Sequence, residues 1–325
     1  MKRIFLAATL GSLLIGAGSC DKVENPFPNT GGATLDWSLY PDGDSAHYAQ
    51  NAWPAFSTNP NTLRNVLIED FTGHQCVNCP AQTAFMESLI QTNPARIYGV
   101  AIHAGPSGLT GYQVTSSAFP SILYNDQGLE IGEFFGSMPG TAFLGNPGFA
   151  VNRTISNDQY ITTAGGITQK TNNALASSLR VNLQAATNYY PSTRGLFLHV
   201  EADKIDQSIS NDLGLVVYVV EDSLVARQIV QTADDPDGVP GDPDLNHKDG
   251  IYEAYVHHDI MRGCIDGMPF GKTLSPAHLG ANNKYYVNYS YRLPDQYNVD
   301  NMHLLIYVYD KTTYEIYHVV EQEMH

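Results

Sequence analysis

The pattern of apolar and polar positions divides the chain into four regimes. Residues 1–19 begin with Lys2 and Arg3, run uncharged and apolar from Ile4 to Ile15, and pass through small residues, Gly16 to Ser19, to reach Cys20. That run is shorter than the roughly 20 apolar residues that span a bilayer, so it predicts a secretory signal that is cleaved rather than retained. Residues 20–62 are rich in Pro, Gly, Asn, Asp and Ser, with isolated aromatics at Trp37, Tyr40, Tyr48, Trp53 and Phe56. Such a segment predicts a tether whose aromatic part docks on a folded domain, because scattered Trp and Phe are poor linker residues.

From residue 63 to 179 the pattern is mixed. Asn65 to Phe71 has the continuous apolar character of a buried strand, and Thr72 to Gln75 turns the chain into Cys76. A helix is predicted from Cys79 onward, with Pro80 in its tolerant first turn and Ala81, Ala84, Phe85, Ser88 and Leu89 on one face, and Asn93-Pro94 ends it. Ile97 to Ile102 reads as a second buried strand, so the unit predicts a parallel pair with a crossover helix. A loop-rich stretch follows, with a short helix over Gly128 to Phe135, a strand entered through Pro147, and a polar helix over Ile167 to Leu179. From 180 to 325 about seven strands occur without intervening helices: Arg180 to Ala185, Leu196 to Ala202, Leu213 to Val220, Tyr252 to His258, Lys284 to Arg292, His303 to Tyr309 and Glu315 to Val320. That run predicts an antiparallel sandwich.

Composition sharpens this picture. A chain of 325 residues with 43% hydrophobic residues has material for two cores. The formal charge is −16 and no basic run offsets it, which excludes nucleic acid and anionic lipid surfaces as partners. Removal of Lys2 and Arg3 with the signal makes the mature chain more acidic still. Of the four cysteines, Cys76 and Cys79 can bridge in an oxidising compartment, and Cys264 reads as a small buried thiol.

The chemistry concentrates at Cys76-Val77-Asn78-Cys79. Two thiols at the start of a helix can close a short disulfide, and the positive helix end favours thiolate at the first. Cys76 is therefore expected to be the exposed, attacking residue and Cys79 the buried, resolving one. Asp70 lies six residues before Cys76, where thioredoxins hold a buried carboxylate that moves the resolving thiol's proton. Pro147, preceded by Asn146, enters a strand as the cis-proline beside a thioredoxin disulfide does, and predicts a cis peptide; Pro139 competes for that role. Two alternatives stay open: an inert disulfide, and a metal site using His74, Cys76, Cys79 and His103.

The acidic stretch from Asp234 to Gly250 offers Asp242, Asp244, Asn246 and Asp249 as oxygen ligands for weakly held calcium, although His247 replaces the turn glycine of an EF-hand; a solvated loop is favoured, and no other cofactor is expected. His257-His258-Asp259 reads as ordinary, since neighbouring strand residues face opposite sides. Tyr285, Tyr286, Tyr289 and Tyr291 read as sheet packing, with an aromatic surface for glycan or protein contact as the lesser alternative.

The run Val66 to Gly73 before Cys76-x-x-Cys79-Pro80, the segment Pro147 to Arg153, and the closing hairpin around Tyr307-Val308-Tyr309-Asp310 resemble the outer membrane protein 28 family of Bacteroidetes lipoproteins. The resemblance implies an α/β thioredoxin-like domain (63–179) followed by an all-β immunoglobulin-like sandwich (180–325), anchored at the outer membrane by lipid on Cys20. The expected partners are envelope proteins or peptides carrying thiols or disulfides, with thiol–disulfide oxidoreductase activity at Cys76 and Cys79. The alternative is a non-catalytic adhesin in which the cysteine pair only staples the fold.

Overall fold

The computed structural model describes residues 35–138, 143–155, 159–230, 247–248, 250–280 and 282–325. Helix α1 (Ser45–Asn51) lies in the N-terminal segment, followed by β1 (Val66–Phe71), α2 (Cys79–Gln91), β2 (Ile97–Ile102), α3 (Asp126–Ser137), β3 (Gly148–Val151), β4 (Ile161–Thr162) and α4 (Ala164–Ala176). Strands then dominate: β5 (Val181–Tyr190), β6 (Gly195–Lys204), β7 (Leu213–Glu221), β8 (Leu224–Ile229), β9 (His247–Lys248), β10 (Ile251–His257), β11 (Ile260–Cys264), β12 (Lys272–Leu274), β13 (Lys284–Arg292), β14 (Met302–Asp310) and β15 (Ile316–Glu323).

Strand β1 is buried at all six positions, as a central strand must be. It pairs in parallel with β2 across the α2 crossover, and antiparallel with β3, where Phe71 faces Gly148. Among the described residues nine strands make one mixed sheet, ordered β15-β14-β7-β11-β2-β1-β3-β4, with β12 on β7. The join is at β11, where Ile260 pairs in parallel with Ala101 of β2. Strands from both halves of the sequence therefore share one sheet, and no break in it falls at residue 179.

Side-chain alternation assigns the faces. On β1, Val66 and Ile68 pack with Met86 of α2 and Ile167 and Ala174 of α4. Leu67 and Phe71 point the other way, into a core with Ile131 and Phe135 of α3 that continues along the sheet to Tyr218 and Tyr307. Where α2 and α4 end, a second sheet ordered β13-β6-β5 takes over their face, setting Leu196, Leu198 and Val200 against Leu215, Val217 and Ile306. The later half is thus two antiparallel layers around one core, joined to the mixed α/β part through the shared sheet.

The aromatic part of the N-terminal segment docks as its composition predicts. Leu35, Leu39, Tyr40 and Tyr48 bury Phe197 on the outer face of β6, and the Trp37 ring stacks on Phe197 at 5.6 Å between centroids. The third sheet, β8-β10-β9, stands apart from the other two.

Candidate functional site

At the carboxyl end of β1 the chain leaves the sheet and forms the loop that carries the cysteines. Gly73 is required there: a Cβ would meet the Tyr112 carbonyl oxygen at 2.6 Å. The Gln75 amide donates to that same carbonyl, and the Cys76 amide donates to Gly73 O. Cys76 and Cys79 are joined in a disulfide. Helix α2 starts at Cys79 with Pro80 in its first turn, and its N-cap, Asn78, makes no side-chain capping bond, so the positive helix end is directed at the sulfurs.

Asp70 is the last inward acid of β1 and lies on the α2 face, in register with Val66 and Ile68. It is fully buried. Its Oδ2 accepts a 2.7 Å hydrogen bond from Thr83 Oγ1, and its Oδ1 has no partner. Thr83 is one helical turn beyond Cys79 in α2, so this contact sets the carboxyl beside the second cysteine's turn. Burial pushes the Asp70 pKa up to about 7; the Thr83 hydrogen bond opposes the shift and the Glu87 charge adds to it.

The Asn146–Pro147 peptide is cis, as its sequence setting predicts. Asn146 Nδ2 donates to Ala104 O, just past β2, and Gln113 Nε2 donates both to Asn146 Oδ1 and to Thr72 O, just past β1. With Phe71 opposite Gly148, the proline and the cysteine loop leave the sheet at the same end.

The expected exposure of Cys76 is not what the structure has. Cys76 is 2% exposed and Cys79 1%, so both are buried. The cover comes from β8: the Ile229 amide donates to His74 O at 2.9 Å, and Gln228 Nε2 donates to Cys76 O at 3.2 Å and to Gly73 O at 3.4 Å. Only the intervening Val77 and Asn78 face outward. Strand β10 backs β8 in antiparallel register and contributes Tyr255, whose hydroxyl is pushed up by burial and by the charges of Glu87 and Asp70.

His257, on the same strand, is buried with its ring 5.8 Å from that of His103. His103 Nδ1 and His257 Nε2 have no partner, and burial lowers both, His257 to about 3. Its neighbour His258 points outward to Asp222 at 2.8 Å, so the two do turn to opposite sides. His74 is committed to packing: Nε2 donates to Val114 O and the ring stacks on Phe119. Among the described residues no group of three or more His, Cys, Asp or Glu is placed to hold a metal ion.

Cys264 is a buried free thiol in the core beneath α3. Cys20, Pro139, and the calcium ligands Asp242, Asp244, Asn246 and Asp249 lie outside the described residues. Gln228, Tyr255 and His257 were not marked by any motif as parts of this site; only the fold brings them to it.

Solved structures with related folds include HBP35 of Porphyromonas gingivalis, with a TM-score of 0.56 at 15% identity over 82% of this chain and 77% of that one. A protein of Agrobacterium tumefaciens matches at 12% identity over 82% of this chain and 96% of its own, with a TM-score of 0.45. A domain of the outer membrane lipoprotein Omp28 from Porphyromonas gingivalis matches at 16% identity over 45% of this chain and 88% of its own, with a TM-score of 0.27. No curated protein sequence matches the chain. Residues 142–325, more than half of the sequence, match the family of outer membrane protein Omp28, and the chain accordingly belongs to the Omp28 family of the outer membrane.

Proposed function

We propose that the α/β part is a thioredoxin-like module that exchanges thiols and disulfides with envelope polypeptides, and that the two-layered β part is an immunoglobulin-like sandwich carrying it, tethered by lipid on Cys20. The observation that carries this reading is Asp70. It is a fully buried carboxyl group with an unpartnered oxygen, hydrogen-bonded to Thr83 one helical turn beyond Cys79; such a group costs stability, and a cost of that kind is characteristic of a residue that handles a proton.

The exchange balances as follows. A substrate thiolate attacks Cys76 Sγ, forming a mixed disulfide and breaking the Cys76–Cys79 bond. Cys79 leaves as a thiolate and takes the Asp70 proton, which a pKa near 7 makes available at neutral pH. A second substrate thiolate then attacks the substrate sulfur of the mixed disulfide. Cys76 leaves, two electrons having passed from substrate to the cysteine pair. The reverse sequence reduces a substrate disulfide and returns the proton to Asp70.

The burial of both sulfurs favours a second reading, in which the disulfide is a staple of a binding protein. Mass spectrometry of alkylated Cys76 and Cys79 across graded glutathione buffers separates the two. An exchanging pair titrates well above about −300 mV, whereas a staple stays oxidised until the potential falls below that value.

A further inference from the structure

Two imidazoles from distant parts of the sequence meet where the small β8-β10-β9 sheet rests on the mixed sheet. His103 directly follows β2, and His257 is the last residue of β10. They are 3% and 5% exposed, and His103 Nδ1 and His257 Nε2 have no hydrogen-bond partner. We infer that these two nitrogens bind a monovalent, two-coordinate cation, copper(I), which clamps β10 onto the mixed sheet.

The His257 ring is already arranged as a ligand. Its side chain donates to the Arg227 carbonyl. With Nε2 unpartnered the donor is Nδ1, so the lone pair is on Nε2. A backbone carbonyl that fixes the tautomer in this way is the usual outer partner of a metal-bound imidazole. Burial keeps both rings neutral at neutral pH, and a buried polar nitrogen without a partner carries a cost that a ligand removes. The ring centres are 5.8 Å apart. A direct N–H···N bond of about 2.9 Å would hold them within roughly 5.1 Å. Two metal–nitrogen bonds of about 2.0 Å, with roughly 1.1 Å from each nitrogen to its ring centre, span about 6.2 Å in line and a little less when bent. The observed separation suits a bridging ion.

The surroundings select the charge and the coordination number. Among the described residues no carboxylate contributes to the electrostatics of either ring; the ionisable neighbours are His74, His258 and Arg262, and Arg262 is itself paired with Glu221 at 2.6 Å. Two neutral ligands without a balancing anion favour one buried positive charge over two. No third His, Cys, Asp or Glu is placed to join them among the described residues. Zinc completes its shell with four ligands and calcium with six to eight oxygens, so neither is satisfied here. Copper(I) is soft, accepts imidazole, and is satisfied by two nitrogens in a near-linear arrangement.

Cys264 is a free thiol that would itself take copper(I), so the test uses the mature chain carrying Cys264→Ala with the Cys76–Cys79 disulfide intact. Copper(I) is supplied without oxygen against the coloured chelator bicinchoninate. One equivalent should bind with a Kd below about 1 µM. His257→Gln, whose amide keeps a donor for the Arg227 carbonyl, and His103→Gln should each weaken binding at least about tenfold, whereas His258→Gln on the exposed neighbour should not. A second readout covers a variant that fails to fold. In the Cys264→Ala protein with all its histidines, the ¹⁵N resonances of His103 Nδ1 and His257 Nε2 should move together on one equivalent, and amides along β10 should exchange more slowly. No binding at about 10 µM copper(I) overturns the inference. So do undiminished binding in either folded glutamine variant, shifts confined to the exposed His47 or His258, or zinc(II) bound more tightly than copper(I).

Discussion

Glu69 and Arg153 face each other as a bidentate ion pair, Nε to Oε2 at 2.8 Å and a terminal nitrogen to Oε1 at 2.7 Å, with both side chains fully buried. Tyr218 of β7 donates to the same carboxylate at 2.8 Å, and Arg153 also donates to the Tyr218 and Tyr307 hydroxyls. One buried charge pair thus ties β1 and the turn after β3 to β7 and β14, across the two halves of the sequence. Removing one partner leaves an uncompensated buried charge, so Glu69→Leu or Arg153→Met should each lower stability by about 3–5 kcal/mol. The double variant Glu69→Leu/Arg153→Met should cost less than the sum. Urea unfolding of the three proteins checks this, and strict additivity would mean that the pair does not act as a unit.

Asp70 gives a pH dependence of determinate sign. Between the ordinary carboxyl value of 3.8 and about 7, the folded chain holds a proton that the unfolded chain has released. Stability therefore falls as pH rises through that window and levels off above it. Asp259 is raised to about 7 as well and titrates in the same range, so the informative quantity is the difference between wild type and Asp70→Asn. Asparagine keeps an acceptor for Thr83 and carries no charge. The variant should be more stable above pH 7, by an amount bounded at about 4 kcal/mol, and equal to wild type near pH 4. Its exchange rate at neutral pH should fall, since Cys79 loses its proton donor. Equal stability differences at pH 4 and pH 8 would remove the ionisation argument.

The adjacent acids of β1 show what the sequence could reveal. The β1-α2-β2 unit was legible because its signals are local: an apolar run, a proline in the first helical turn, a second apolar run. The same holds for the long strands β7, β13 and β14 and for the cis Asn146–Pro147 step. Asp70 was legible from its spacing to Cys76. Glu69 was not, because its role depends on Arg153 and Tyr218, 84 and 149 residues away. The expected exposure of Cys76 follows correctly from an isolated strand–loop–helix unit. It fails in the whole protein because Gln228, 152 residues later, lies over it. Strands β8, β11 and β12 carry no strong alternating pattern, and it is β11 that merges two expected domains into one sheet.

With both sulfurs buried, the roles of the cysteines rest on their places relative to α2 rather than on exposure. Cys76 precedes the helix and sits at its positive end, whereas Cys79 is its first residue. If the pair exchanges, Cys79→Ser should accumulate envelope polypeptides covalently on Cys76, because the mixed disulfide cannot resolve. Cys76→Ser should trap none. Non-reducing gels of both variants isolated from envelope fractions make the comparison, and equal, negligible trapping favours the staple.

The cover over the disulfide sets the last expectation. Gln228 holds the cysteine loop through Gly73 O and Cys76 O, and the Ile229 amide holds it through His74 O. These bonds lie outside the two larger sheets, in the small β8-β10-β9 layer, so they can open without unfolding the core. A reductant must wait for that opening before it reaches Cys76 Sγ. Gln228→Ala deletes the side-chain bonds, each worth roughly 1 kcal/mol, and should speed reduction of the disulfide by dithiothreitol about tenfold. The urea midpoint should move little, because the main cores are untouched. Hydrogen exchange at Ile229 and along β8 should quicken in parallel with reduction. An unchanged reduction rate alongside faster β8 exchange would show that the sulfurs are reached by a route other than past β8, and would remove β8 as the gate.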